Sequence, residues 1–530
     1  MRPLTRRQVL VEALAGAALL AGCGGGRRSA GAPVTGSTLE STWGDPVGDG
    51  QLRAGPGEAL LDRVGLSPRA PAVAVLATLA HVTDAHVLDA SSPARVTFLD
   101  RLGAPFQSTF RPHETLTAQV LAGAVRAVRA LGPCVVIQGG DLIDNAQSNE
   151  LAHALAVLGG GAVHPGSGPC GYLGVQVAAD PDPFYYRPEI DAPQHPGLLR
   201  AAVASFSSRG LDVPAYPVLG DHDLLVAGEI VPTELTQALA VGARAVWELP
   251  AGLSLPRGLR GGTGYSPDGP PDPGLVDSFL RRALAGRTVK VPADGARREM
   301  SVQEVVARLR GAVGGRRAGA PTGAGALGGV SAVGALGGVG ALGGAGALGG
   351  ARLDYVVDVG AHLRLIVLDL ARRAGGSGGL VVPGQAAWLS RALAQGGGRW
   401  LIVVSHQPLG SSAGGDRILG LLDRSPRVIA ALSGHTHRNR ILARPTPAGG
   451  YWLISTASLI DYPQQARALR VLATAGGGVA IQTWMLDHVF PGQLGRIARQ
   501  LSFIDAQGGR PSGFTGRRLD RNVTLYRGGV

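Results

Sequence analysis

The stretch Val428-Ile429-Ala430-Ala431-Leu432-Ser433-Gly434-His435-Thr436-His437 carries a short apolar run into a glycine and then two histidines two positions apart. A run of this length, closed by a turn residue, reads as a buried strand. In a loop after Gly434 the two imidazoles can converge, and neutral imidazoles are good ligands for borderline metals. Such pairs also arise on solvated loops, so the neighbouring strands have to decide what this one means.

The same grammar recurs through the chain. Residues 73–82 form an apolar run that ends in Thr83-Asp84-Ala85-His86. Residues 114–131 have helical spacing and stop at Gly132-Pro133. Residues 134–137 are again apolar and lead into Gly139-Gly140-Asp141-Leu142-Ile143-Asp144-Asn145. Strand, helix and strand at this spacing make a βαβ unit, which puts both acidic turns on one edge of one sheet. A third apolar run, 213–219, ends in Gly220-Asp221-His222-Asp223, and a fourth, 400–404, ends in Ser405-His406-Gln407-Pro408. Open α/β sheets place their chemistry at these carboxyl ends. Further helices are expected over 149–158, 198–206, 277–284, 302–309 and 385–394, and strands over 355–359, 363–370, 451–455 and 471–484. His81 lies inside the first strand and reads as a core residue or one that supports the site from behind.

Five of the twelve histidines (His86, His222, His406, His435 and His437) follow predicted strands in four separate turns, with Asp84, Asp141 and Asp221 in matching places. Turn propensity explains any one of them, but not all of them together. The ordered set Asp84-x-His86, Gly140-Asp141-x-x-Asp144, Gly220-Asp221-His222-Asp223, His406 and Gly434-His435-x-His437 resembles the signature of the calcineurin-like metallophosphoesterases, over about residues 73–487. The long insertions and the N-terminus are similar to those of a group of secreted actinobacterial members.

That resemblance implies an α/β (α+β) fold, a four-layer α/β/β/α sandwich of two mixed sheets flanked by helices and interrupted by Gly-rich insertions. It implies a dinuclear phosphoric ester hydrolase acting on phosphate mono- or diesters. Asp84, His86 and His437 would hold one ion and Asp221, His406 and His435 the other, with Asp141 bridging. Two such cations generate a hydroxide at neutral pH and clamp both reacting oxygens, and the mixed carboxylate and imidazole set suits Mn, Fe or Zn. His222 would serve as general acid or transition-state stabiliser, oriented by Asp144. One position departs from the pattern: the family usually has Asn where this chain has Asp221.

Composition fills in the rest. The chain has 530 residues, 83 of them Gly and 36 Pro, so much of its length is loop or insertion. The formal charge of +12 is almost wholly arginine, Lys290 being the one lysine. No basic run with interleaved aromatics appears, so no nucleic-acid-binding domain is expected. Arg6-Arg7 precedes a short apolar segment that ends in Leu20-Ala21-Gly22-Cys23. This reads as a twin-arginine export signal with a lipoprotein box, which would put Cys23 in a lipid anchor on the outer face of a bacterial membrane. Residues 1–23 are thus the expected signal, 24–70 a flexible tether, 71–490 the catalytic domain with a low-complexity insertion at 311–351, and 491–530 a C-terminal extension. Cys134 and Cys170 are left, and nothing in their spacing requires a disulfide. The competing expectation is a non-catalytic envelope lipoprotein that uses the same fold for binding.

Overall fold

A computed structural model describes residues 34–102, 109–167, 171–254, 256, 273–312, 351–508 and 513–530. The expected signal peptide with Cys23, Cys170 and the repeat at 313–350 lie outside the described residues. Among the described residues no helix is long and apolar enough to cross a membrane.

The chain starts one sheet with β1 (Leu61–Arg63), β2 (Ala72–Val82), β3 (Val135–Gln138) and β4 (Ala215–Pro217). It then builds a second with β5 (Tyr355–Val359), β6 (Leu363–Leu368), β7 (Trp400–Ser405), β8 (Val428–Ser433), β9 (Arg440–Arg444) and β10 (Tyr451–Ser455). It returns to the first with β11 (Gln465–Thr474), β12 (Val479–Asp487) and β13 (Val523–Arg527). The seven-stranded sheet runs β1-β13-β12-β11-β2-β3-β4 and the six-stranded one β5-β6-β7-β8-β10-β9. Both are mixed: β2, β3 and β4 are parallel, as are β6, β7, β8 and β10, and the remaining pairs are antiparallel except β13 with β1.

Three apolar seams separate four layers, as expected. Between the sheets lie Leu79, Ile137, Leu365, Ile402, Leu432 and Leu469, among others. The helices α1 (Thr117–Leu131), α2 (Ser148–Gly159) and α5 (Gln493–Gly508) cover the first sheet; α1 sets Leu121, Val125 and Val128 against Trp484 and Leu486. On the far side α3 (Gln385–Ala394) and α4 (Gly415–Asp423) press Trp388, Leu389, Ile418 and Leu422 onto Ile366 and Val403. Each such side chain contributes roughly 1.5–3 kcal/mol when fully buried. α1 stops where its spacing predicts, because Gly132 takes the left-handed conformation (φ 64°) and caps Val128.

Both ends of the chain depart from expectation. The tether expected over 24–70 is docked from Val34 onward: Thr38 Oγ1 donates to the Met485 carbonyl at 3.0 Å, residues 41–44 and 53–56 pair as a hairpin, and β1 pairs with β13. The expected C-terminal extension supplies α5 and β13, whose Val523 and Leu525 are fully buried between the sheets. β13 lies between β1 and β12, so both chain ends are needed to finish the first sheet and leave less open edge. The helix expected over 198–206 stops at Ala202 and yields to a short strand at Phe206–Ser208. The strand expected over 471–484 is the β11–β12 hairpin, turned by Gly476 and Gly477 at positive φ.

Candidate metal centre

The parallel strands of both sheets end on one side, and the five sequence motifs follow their carboxyl ends. Asp84 and His86 follow β2, Asp141 and Asp144 follow β3, Asp221 and His222 follow β4, His406 follows β7, and His435 and His437 follow β8. The backbone there is held in sparsely populated conformations. Nine described non-glycine residues have positive φ, and five are Asp84 (53°), His86 (42°), Asp141 (48°), His435 (64°) and His437 (54°). Such conformations cost about 1–3 kcal/mol each and persist only where the surroundings enforce them. Here the enforcement is visible. Asp84 N donates to the Gly140 carbonyl and His86 N to the Asp141 carbonyl, both at 3.0 Å. The buried Asp223 carboxylate accepts from the backbone N–H groups of Gly220, Leu142 and Ile143 at 2.9, 2.9 and 3.2 Å, tying the second motif to the third. Gly220 allows that approach, since a Cβ there would sit 2.1 Å from Asp141 Oδ1.

Two sets of ligand atoms result, Asp84, His86 and His437 in one and Asp141, Asp221, His406 and His435 in the other, with the atoms of each set within 4.8 Å of one another; a third such group among the described residues, His86, Asp144 and His222, shares His86 with the first. Asp141 Oδ2 lies between the sets, 3.0 Å from His406 Nε2 and 3.7 Å from His86 Nε2. In the second set Asp221 Oδ1 is 3.2 Å from His435 Nδ1 and 3.4 Å from His406 Nε2.

The hydrogen bonds behind these atoms decide what the two sets fit. His406 Nδ1 donates to the Gly139 carbonyl at 2.8 Å, so its buried Nε2 presents a lone pair to Asp141 and Asp221 and has no hydrogen-bond partner. His86 Nδ1 faces Asp144 Oδ1 at 2.9 Å, and His437 Nδ1 faces Asp461 Oδ2 at 2.5 Å. Each therefore turns a second Nε2 lone pair inward, and these two nitrogens lie 3.3 Å apart, with Asp84 Oδ1 3.3 Å from His437 Nε2. Lone pairs and anionic oxygens gathered this closely repel. One proton relieves a single pair; three- and four-atom groups are relieved by a cation with several ligands. Carboxylate and imidazole donors together fit Mn, Fe or Zn.

The charge states tell the same story. Burial works against the Asp84, Asp144 and Asp221 carboxylates, yet the facing imidazoles hold all three well below the usual range. Burial likewise opposes a charged His437, but Asp84 and Asp461 push it up to about 9, so that without a cation at Asp84 a proton on Nε2 takes its place. The cluster calls for positive charge at its centre.

His222 stands beside the two sets. Its backbone N–H donates to Asp141 Oδ1 at 2.9 Å and its Nδ1 to the Asp144 carbonyl at 2.9 Å. Nε2 is left as the atom available to a ligand. The Asp144 carboxylate lies 3.3 Å from His222 Nδ1 but closer, 2.9 Å, to His86 Nδ1, so it orients two rings rather than one.

No protein-family model matches this chain, and no curated protein does. Similar solved structures include a dimetal phosphatase from Danio rerio (12% identity over 78% of this chain and 99% of that chain, TM-score 0.36). A second is the sulfate thiohydrolase SoxB from Thermus thermophilus (18% identity, 29% of this chain and 28% of that chain, TM-score 0.19). A third is PhoD (10% identity, 86% of this chain and 80% of that chain, TM-score 0.28). At these scores the likeness carries no argument about chemistry, which rests on the geometry of the centre.

The structure brings all nine sequence-predicted residues into this one cluster. It adds two that the sequence reading missed. Asp461, in the loop after β10, holds His437 and is itself paired with buried Arg111 at 2.6 Å. No spacing marks either residue; an acid before Tyr462-Pro463 at a strand end is the faint signal available. His81 is fully buried, with Nδ1 2.9 Å from Thr456 Oγ1, as a core residue should be.

Proposed function

We propose that this chain is a dinuclear metal-dependent phosphoesterase of the calcineurin-like metallophosphoesterase kind, hydrolysing phosphate mono- or diesters. The observation that carries the reading is the pair of converging ligand sets joined at Asp141 Oδ2, with the tautomers of His86, His406 and His437 fixed from behind.

Asp84, His86 and His437 would hold one ion and Asp221, His406 and His435 the other, with Asp141 common to both. When bound, two such cations supply Lewis-acid activation of water and charge stabilisation for phosphoryl oxygens. The chain's own part is orientation and proton transfer. Asp144 and its carbonyl hold the His222 ring by Nδ1, so that Nε2 is left to donate a proton or hydrogen bond to the substrate. Burial disfavours a charged His222, but the Asp141 and Asp144 carboxylates outweigh it and push the ring up to about 10, which suits a donor.

The twin arginines and the Leu20-Ala21-Gly22-Cys23 box support a place on the outer face of the cell membrane, with the enzyme tethered at Cys23. Substrate would then be an extracytoplasmic phosphate ester. Hydrolysis of a generic phosphate monoester and diester, with and without added Mn²⁺ or Zn²⁺, tests the reading. Metal-dependent turnover of either ester supports it, and no turnover by protein shown to be fully loaded with metal contradicts it.

A further inference from the structure

Gln407 follows the candidate ligand His406 and is buried. Its Nε2 donates to Asp221 Oδ1 at 3.0 Å and to the Ser377 carbonyl at 3.2 Å. Both partners are acceptors, so the amide orientation is fixed, with nitrogen rather than oxygen facing them. The other end of the amide, Oε1, is buried and has no hydrogen-bond partner. Leaving a buried acceptor unpaired is costly, which identifies the two donations as what this side chain is there to make.

The oxygen that receives one of them, Asp221 Oδ1, also faces His435 and His406 at 3.2 and 3.4 Å. A donor on a ligating oxygen draws off part of its charge and fixes the rotation of the carboxylate. The other donation ties the site to the β6–α3 connection. There Ser377 donates its hydroxyl to Glu229 Oε1 at 2.5 Å and its N–H to Glu229 Oε2 at 3.2 Å. Glu229 follows Gly228 (φ +71°), whose absent Cβ would lie 2.4 Å from the His222 ring. A continuous strap therefore runs from Asp221 through Gln407 and Ser377 to the segment that covers His222.

We propose that Gln407 is a positioning residue that sets the affinity of the Asp221, His406 and His435 ion site through Asp221, with Ser377 and Glu229 bracing it. This rests on the dinuclear reading above. Partners behind a metal ligand commonly account for 10–100-fold in metal affinity.

The test is Co²⁺ titration of the chelator-stripped protein, followed by calorimetry and visible absorption, for wild type, Gln407→Met and Ser377→Ala. Wild type is expected to take two ions. Gln407→Met, close in volume but without the donor, is expected to weaken one of them 10–100-fold and change its absorption, leaving the other within threefold. Ser377→Ala, which keeps the carbonyl but releases Glu229, is expected to weaken the same ion several-fold. If Gln407→Met does not fold, Ser377→Ala alone decides. Two cobalt ions in wild type, with both affinities and the spectrum unchanged in the folded variants, would overturn the inference, even if metal-free stability falls. Fewer than two ions in wild type would instead overturn the dinuclear reading beneath it.

Discussion

His86 and His437 face each other through Nε2 at 3.3 Å, each held from behind by a carboxylate, Asp144 and Asp461. The rear carboxylates make the convergence possible, because they fix which nitrogen carries the proton. Asp461→Asn keeps the size and one acceptor oxygen but removes the charge that pins this tautomer. We expect the ion at Asp84, His86 and His437 to bind about 10–100-fold more weakly in this variant, read by Mn²⁺ titration of the stripped protein. Asp461→Ala should do worse, since it also removes the carboxylate paired with buried Arg111, a loss of about 3–5 kcal/mol in thermal or denaturant unfolding.

His222→Ala separates chemistry from metal binding. Its ring lies beside the ligand sets and contacts Asp144 through Nδ1, while the bond to Asp141 comes from its backbone N–H and survives the substitution. The variant should retain both ions by elemental analysis while kcat drops about 10²–10⁴-fold, the usual contribution of a positioned acid or base. Loss of metal along with activity would assign the ring to ligation instead.

Gly434→Ala probes the close approach of β8 to β2. A Cβ at 434 would lie 2.1 Å from Thr83 Oγ1 and 2.5 Å from Asp84 Oδ2, where Thr83 now donates to Asp84 at 2.6 Å. Overpacking of this kind costs about 1–3 kcal/mol. A lower Tm together with weakened binding of the ion at Asp84 is the expected result, from scanning calorimetry and metal titration.

Glu299 gives a pH signature away from the centre. Its Oε2 accepts from Thr236 Oγ1 at 3.0 Å, while Oε1 is buried without a hydrogen-bond partner. Burial raises its pKa from 4.5 to about 8, the Thr236 bond only partly opposing it. Between those values the folded chain keeps a proton that the unfolded chain has released, so stability falls as pH rises through that window. Glu299→Gln, neutral throughout, should match wild type near pH 5 and exceed it near pH 9 by at least about 2 °C in Tm. Parallel melting curves across that range would contradict the assignment.

Much of the centre was legible because its chemistry sits where apolar strands end, so the strand pattern and the metal-type residues report each other. The helix at 117–131 and its glycine stop were equally plain, since burial on one face imposes a 3.6-residue period. Other parts of the fold have no such period. β1 is three residues long and β13 five, and β1 is defined by its pairing with β13 across about 460 residues rather than by local pattern. Asp461, Arg111 and Gln407 serve ligands from loops or from ordinary-looking positions, and only the folded chain shows what they touch.

The most direct measurement is the metal content of the purified protein by mass spectrometry, after stripping and reconstitution with Mn²⁺, Fe²⁺ or Zn²⁺. About two ions per chain are expected, falling to about one in a His86→Ala, His437→Ala double variant that stays folded. A folded wild-type protein that takes up no metal would contradict the dinuclear reading.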